Sequence, residues 1–242
     1  MPSPTEPTEL LATWEAGLAA GPVRRAVLLH ALTGAEDGGR LEVPVGRRDR
    51  ELFSLRRTLF GERLNGRVTC LDCETEQEFG FDVGNVLGGA MDEPAEVLAH
   101  SGDWAIRLRL PTSGDLLAAA AAGPEGARRE LVTRCTIEAK HRGQPSSVDD
   151  LPAAAQTAMA DSLAEADSAA DVRLTMPCVE CGRTTSATVD IVSYLWAELD
   201  AWARAVMLEV HLLASAYGWA EPEVLALSPT RRRFYLELVG HG

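Results

Sequence analysis

The chain has 242 residues, of which 46% are hydrophobic and 24% charged, and this composition excludes disorder of the whole chain. Lysine and arginine total 23 against 36 acidic residues, which gives a formal net charge of -13 at pH 7. An acidic surface repels phosphate backbones, so the charge argues against general binding of nucleic acid.

The amino-terminal quarter is predicted to be helical. Residues 1–7 are rich in Pro, Ser and Thr and are expected to form a flexible tail. Apolar residues then recur at helical spacing in TELLATWEAGLAAG, PVRRAVLLHAL and RDRELFSLRRTLFGERL. Pro22 is placed to start the second of these helices. Residues 8–65 are therefore predicted to form an N-terminal helical region.

Two cysteine pairs occur in duplicated contexts further along the chain. Cys70 and Cys73 lie between the β-like segments RVTC and EQEFGFDV, and Cys178 and Cys181 lie between VRLTMP and TSATVDI. The two-residue spacing allows a tight turn to direct both sulfurs at one ion, and two such turns complete a tetrahedral site. The pattern predicts one structural zinc ion bound by these four cysteines.

The distance between the two pairs predicts an insertion. Residues 66–83 and 171–190 are expected to form a split zinc ribbon, and residues 84–170 an inserted, mainly helical subdomain. Because loop-closure entropy grows slowly with length and zinc binding offsets it, zinc is predicted to be required for folding.

The insertion itself is predicted from local patterns. WAIRLRL alternates like a strand and leads into PTSGDLLAAAA, where Thr112 or Ser113 can cap a helix. GPEGARRELVTRCTIEA and LPAAAQTAMADSLAEADSAA are predicted to be helices, with HRGQPSSVDD as a polar loop between them.

Residues 191–242 are predicted to form a long helix followed by short ones. An apolar stripe with an average step close to 3.6 residues runs from Ile191 to Tyr217, and Gly218 can supply a left-handed cap. Ser228 and Pro229 are suited to start the last helix, TRRRFYLELV. The predicted fold class is α+β and helix-rich, with a small split zinc ribbon packed against amphipathic helices.

The cysteine pairs have other interpretations. The pairs can be redox dithiols, but neither lies in a thioredoxin-like strand-to-helix context, or they can be plain core cysteines. A catalytic zinc needs an open coordination position, which four thiolates do not leave. A metal-dependent hydrolase would need ligands other than cysteine.

Enzymatic chemistry has little support in the sequence. Cys135, near His141, is a candidate nucleophile but is more typical of a core position, and His211 lacks the second histidine of an HExxH motif. The chain contains no GxGxxG motif after a strand, no Walker A motif and no GxSxG elbow. The prediction is a protein without catalytic residues or a small-molecule substrate.

The last helix carries a basic and aromatic cluster. The residues predicted to bind a partner are Arg231, Arg232, Arg233, Tyr235 and Trp219. Positive charge near the start of a helix is disfavoured by the helix dipole, so these arginines need either a partner or internal neutralisation by Glu221 and Glu223. Phe234 and Leu238 can supply further anchors beside such a contact.

The predicted location is the cytoplasm. The amino terminus, MPSPTEPTELL, lacks a basic stretch followed by an apolar run, and no window approaches the ~20 apolar residues of a membrane span. Cysteines in tight pairs also suit a reducing compartment.

Several segments together resemble the phage T4-type baseplate protein family. They are LLATWEAG, RRAVLLHAL, CLDCETEQEFGFDV, IRLRLPTSGDLLAA, CVECGRTTSATVDI and EVHLLASAYGWAEPEVLALSPTRRRFYLEL. Members look like baseplate hub assembly chaperones or hub-associated components, in contractile phage tails and contractile injection systems. The resemblance is strongest at LPTSGDL and at the carboxy-terminal pattern, neither of which is a catalytic signature.

The resemblance implies an adaptor that acts by protein–protein binding. Its expected partners are baseplate or spike proteins, and binding to nucleic acid or to a membrane is not expected. Besides the cytoplasm, the protein is expected in the assembled tail-like particle. The alternative is a zinc-ribbon regulator that binds nucleic acid or the transcription machinery. Near the knuckles, however, Asp72, Glu74 and Glu180 face only Arg67 and Arg183, which disfavours nucleic acid.

Overall fold

The computed structural model describes residues 6–34, 39–88 and 94–240. The helices are α1 (Pro7–Gly17), α2 (Pro22–Ala31), α3 (Val45–Phe60), α4 (Val83–Leu87), α5 (Ser113–Ala121), α6 (Gly123–Cys135), α7 (Ala153–Ala166), α8 (Ile191–Tyr217), α9 (Glu221–Leu225) and α10 (Pro229–Val239). The strands are β1 (Arg63–Thr69), β2 (Glu76–Asp82), β3 (Val97–Ser101), β4 (Trp104–Leu108), β5 (Thr136–His141), β6 (Gln144–Pro145), β7 (Arg173–Pro177) and β8 (Thr184–Thr188). Helices combined with small antiparallel sheets confirm the α+β class.

The amino-terminal helices form one core with the first half of α8. Leu29, Leu52, Phe53 and Leu195 are almost fully buried in it. Proline begins α1 and α2, where a missing N–H costs no hydrogen bond. Helix α1 starts at the last residue of the predicted tail, and residues 1–5 of that tail lie outside the described residues.

A buried ion pair connects α3 to α8 within this core. Arg56 is 3% exposed, and its guanidinium binds both carboxylate oxygens of Glu198, at 2.8 and 2.6 Å. It also donates to the carbonyl oxygens of Gly61 and Arg63, so this arginine joins α3, α8 and the start of β1. Arginine can make this planar set of contacts, whereas a lysine ammonium cannot.

The two cysteine pairs lie on two antiparallel hairpins. One hairpin pairs β1 with β2, from Arg63 opposite Asp82 to Thr69 opposite Glu76. The other pairs β7 with β8, and each hairpin carries its Cys-x-x-Cys sequence in the connecting turn. Leu64 of β1 is buried in the amino-terminal core, which anchors the first hairpin to the helices.

The segment between the hairpins contains a four-stranded sheet in addition to helices. Its strand order is β3-β4-β5-β6, and Ile106, Leu108, Ala155 and Met159 form a second core between the sheet and α7. The expectation of a mainly helical insertion therefore missed most of this sheet, of which only β4 was predicted.

Strand β5 replaces part of a predicted helix. The prediction extended one helix through TIEA, but α6 ends at Cys135 and Thr136–His141 pairs with β4. The β-branched residues Thr136 and Ile137 favour an extended backbone, and pairing with β4 is a tertiary interaction that helical periodicity cannot reveal.

The segment LPTSGDL joins this sheet to the amino-terminal helices. Thr112 caps α5 in a capping box with Asp115, as expected for one of the two candidate caps. The Val45 N–H donates to the carbonyl of Pro111 at 2.9 Å, and Arg48 donates to the buried hydroxyl of Ser113 at 3.2 Å. These contacts explain why the segment is polar although it is largely buried.

Asp115 lies at the centre of this junction. It is 1% exposed and accepts hydrogen bonds from Arg109 at 2.6 and 2.8 Å and from Arg134 at 2.7 Å. Although burial opposes ionisation, the hydrogen bonds from both arginines and from Thr112 hold the pKa of this carboxyl well below its usual range. The ionised carboxylate on α5 is thus bound both to α6 and to the residue that follows β4.

Helix α8 confirms the predicted long amphipathic element. Its side chains at Leu195, Leu199, Val206 and Leu213 are buried along one stripe. Gly218 ends the helix with a φ of 68°, in the left-handed region that glycine tolerates best. Among the described residues, no helix is long and apolar enough to span a bilayer.

Candidate metal centre

The four paired cysteines meet at one point of the structure. All four sulfurs lie within 4.8 Å of one another, with Cys70 Sγ 3.8 Å from Cys181 Sγ and Cys73 Sγ 3.6 Å from Cys178 Sγ. A tetrahedron with Zn–S bonds of about 2.3 Å has edges of about 3.8 Å. The separations therefore suit four thiolates around one metal ion, and they are too long for disulfide bonds.

The two turns have the same backbone geometry. In the first, the N–H of Glu74 donates to the carbonyl of Cys70 at 2.9 Å; in the second, the N–H of Gly182 donates to the carbonyl of Cys178 at 2.9 Å. Glu74 and Gly182 occupy equivalent positions with φ of 58° and 73°. Each turn directs its two sulfurs to one side, as a zinc knuckle does.

Hydrogen bonds hold the two turns against each other. The buried Gln77 side chain accepts from the N–H of Val179 at 2.9 Å, and Arg183 pairs with Asp72 at 2.9 Å. Each contact crosses from one hairpin to the other, so the sulfurs are brought together by the polypeptide itself.

The electrostatics of the cluster favour a bound cation. Hydrogen bonds from the Thr185 hydroxyl and from the backbone around Asp72 and Cys73 lower the pKa of Cys70 to about 6. The N–H of Arg183 favours the thiolate of Cys181, but partial desolvation of the sulfur and the neighbouring sulfurs outweigh it and raise that pKa to about 12. Four adjacent thiols cannot all ionise without a positive charge among them.

Two structural features bear on the other interpretations of these cysteines. Each pair lies in a hairpin turn and neither precedes a helix, unlike the cysteines of a thioredoxin-like dithiol. Cys181 is exposed and Cys73 is half-buried, so apolar packing does not explain the cluster. The buried Thr185 hydroxyl lies near the Cys70 sulfur and makes no hydrogen bond of ordinary geometry with any described residue, so this sulfur is the acceptor left to it.

The remaining candidate residues for chemistry are dispersed. Cys135 is 3% exposed, and burial raises the pKa of its thiol to about 11, so it is protonated at neutral pH. His141 stacks on Trp104 with ring centroids 4.8 Å apart, and His211 is exposed on α8. None of these three candidates joins the cysteine cluster.

The predicted arginine cluster divides between the interior and the surface. Arg232 is 3% exposed, binds Glu209 at 2.7 Å and donates to the carbonyl of Leu227, so its guanidinium is occupied inside the fold. Arg231 and Arg233 are exposed and form no ion pair with any described residue. The charge of Arg232 is thus neutralised inside the fold, but by Glu209 and not by Glu221 or Glu223.

Aromatic rings pack beside these arginines. Trp219 stacks on Tyr217 with centroids 4.7 Å apart and meets the edge of Tyr235 at 5.0 Å. Trp219 and Tyr235, which were predicted to bind a partner, are half-buried against the core between α8, α9 and α10. Phe234 and Leu238 are 60% and 51% exposed and lie one turn apart on α10.

A family model described as "T4 bacteriophage base plate protein" matches residues 28–193. The matched region is well over half of the chain and contains both cysteine pairs, the inserted sheet and the beginning of α8. Most of α8, together with α9 and α10, lies outside it. No match to a curated protein or to a solved structure was found.

Proposed function

The chain belongs to the T4 bacteriophage base plate protein family, and we propose that it is a zinc-stabilised assembly factor or structural component of such a baseplate. The family match carries this proposal. The particle would be a contractile phage tail or a contractile injection system, as the sequence resemblance implies. Baseplates are built by proteins that bind one another, so the expected partners are other baseplate or spike proteins.

Zinc has a structural role in this proposal. Cys70, Cys73, Cys178 and Cys181 would hold the ion, and four thiolates leave no open position for catalysis. Cys73 and Cys178 are 105 positions apart, so the ion would tie residues 66–83 to residues 171–190 across the insertion. What supports zinc is the close set of four sulfurs, the paired turns and the buried hydroxyl beside Cys70.

The carboxy-terminal face is the proposed contact with a partner. We define this face by four of the exposed side chains of α10, namely Arg231, Arg233, Phe234 and Leu238. Apolar anchors next to unpaired arginines suit a partner with an apolar site bordered by carboxylates. Trp219 and Tyr235 would contribute indirectly, because they pack α10 against the core. Arg232 would hold α10 in place through its ion pair with Glu209.

The regulator that binds nucleic acid has less support. Arg67 pairs with Glu76 and Glu78, and Arg183 pairs with Asp72, so the cations near the cysteine cluster are already neutralised. A nucleic-acid site needs cations that are free to contact phosphates.

The proposal is tested by restoring particle assembly in a strain that lacks the gene. The expected result of the deletion is loss of complete baseplates in electron micrographs, with wild-type protein restoring them. The variant Phe234→Ser with Leu238→Ser should fold normally, because both side chains are exposed, yet restore assembly at least about tenfold less well.

A matched control separates docking from general surface change. Leu98 and Ile137 are 62% and 45% exposed and lie on the inserted sheet, far along the chain from α10. The variant Leu98→Ser with Ile137→Ser is expected to restore assembly fully. Normal particles in the deletion strain would contradict the baseplate function, and full activity of the α10 variant would contradict only the carboxy-terminal face.

A further inference from the structure

The two cysteine turns each expose an apolar side chain at the same position. Leu71 follows Cys70 and is 96% exposed, and Val179 follows Cys178 and is 80% exposed. They are the two most exposed large hydrophobic side chains among the described residues. We call Leu71 and Val179 together the knuckle tip.

The fold does not require an apolar residue at either position. The turns are closed by backbone hydrogen bonds and by the residues with positive φ, and neither Leu71 nor Val179 belongs to a described core cluster. A single exposed apolar residue on a surface is ordinary. Here two such residues occupy equivalent positions on two turns whose sulfurs lie within 4.8 Å of one another.

Contacts between the two hairpins fix the backbone of the turns that carry the knuckle tip. The N–H of Val179 is bound by Gln77 of the other hairpin, and Asp72, next to Leu71, is bound by Arg183. Because the backbone at these turns is already fixed, little backbone entropy is lost when the tip binds a partner, which favours its use as an anchor.

The surroundings of the knuckle tip are acidic. Glu74 and Glu180 are exposed and form no ion pair with any described residue, while Arg183 is already paired with Asp72. Bound zinc would cancel only half of the charge of four thiolates. A complementary surface would therefore carry Arg or Lys around an apolar pocket.

We propose that the knuckle tip is a second docking surface, which inserts Leu71 and Val179 into an apolar pocket bordered by basic residues on another protein of the same particle. This inference rests on the proposed baseplate function. Tip-to-tip contact between two copies of the chain is disfavoured, because both tips are acidic and each chain has a net charge of -13.

The position of the tip makes the protein a bridge. Strand β8 leads from the second turn into the amino-terminal end of α8, and the carboxy-terminal face lies on α10, which packs beside the carboxy-terminal half of that helix. Helix α8 has 27 residues and so spans about 40 Å. Two surfaces so placed can contact two different neighbours at once.

The test measures binding of the zinc-loaded protein to each purified baseplate protein of the same particle in turn. The variant Leu71→Ser with Val179→Ser should keep its zinc content and melting temperature, and should bind one of these proteins about ten- to a hundredfold more weakly. Leu98→Ser with Ile137→Ser, on the inserted sheet, should bind it as wild type does. Glu74→Gln with Glu180→Gln should weaken binding mainly at low salt.

Several outcomes would overturn the inference. Equal binding of wild type and the tip variant by every baseplate protein would do so, as would no binding of wild type by any of them. A dimer of the wild-type chain that the tip substitutions dissolve would assign the tip to self-association instead. If particle assembly still depends on the gene in these cases, the baseplate function stands and only the knuckle tip fails.

Discussion

Replacing Cys178 with serine is expected to abolish the cooperative folding of the protein. The substitution removes one of four ligands, and structural zinc sites contribute about 10–16 kcal/mol of apparent binding free energy. Domains of this kind have a net stability of only about 5–15 kcal/mol, so loss of the zinc contribution removes most or all of that stability. Circular dichroism melts and zinc content measured on the same sample check this result.

The fifth cysteine supplies the matched control. Cys135 is buried outside the cluster, so Cys135→Ala should lower the free energy of unfolding by only about 1–2 kcal/mol and leave zinc binding unchanged. If Cys178→Ser keeps one zinc per chain and melts like the Cys135 variant, Cys178 is not a ligand. That result would favour the interpretation of the cysteine pairs as redox dithiols or as plain core cysteines.

Replacing Asp115 with alanine is expected to lower the free energy of unfolding by about 2–4 kcal/mol. The change removes a helix cap, worth about 1 kcal/mol, and the charge-assisted hydrogen bonds with Arg109 and Arg134. Both arginines can turn toward water, which limits the loss. Asp161 is exposed on α7, so Asp161→Ala removes a carboxylate outside the junction and should change the stability by less than about 0.5 kcal/mol.

Acid should erase the difference between the Asp115 variant and wild type. The pKa of Asp115 is lowered in the folded protein, so its contribution is fully present above the unfolded pKa of about 4 and is lost as the pH falls below that value. Urea unfolding at pH 7 and at progressively lower pH measures this convergence. A constant difference across the range would show that the carboxylate charge does not matter.

Local patterns in the sequence were sufficient for several elements. Proline at the starts of α1 and α2, the stripe and glycine cap of α8, and the serine cap of α10 all act within a few residues. The duplicated turns predicted that Cys70 and Cys181 belong together although they are 111 positions apart, because both contexts have the same form.

Contacts between distant residues were beyond the reach of those patterns. Strand β5 forms because it pairs with β4, and the local sequence TIEA does not predict that pairing. The burial of Arg232 depends on Glu209, which lies on another helix, so charge spacing alone placed this arginine on the surface. The exposure of Leu71 and Val179 likewise follows from the closed turns. In the sequence alone, an apolar residue at such a position cannot be distinguished from a core residue.

Native mass spectrometry of the reduced protein, combined with melts before and after chelation, tests whether the four-cysteine site holds a single zinc ion. The expected result is one zinc per chain, with loss of the cooperative melting transition once the metal is removed. A reduced protein that contains no metal and still melts cooperatively at the same temperature would contradict the zinc site.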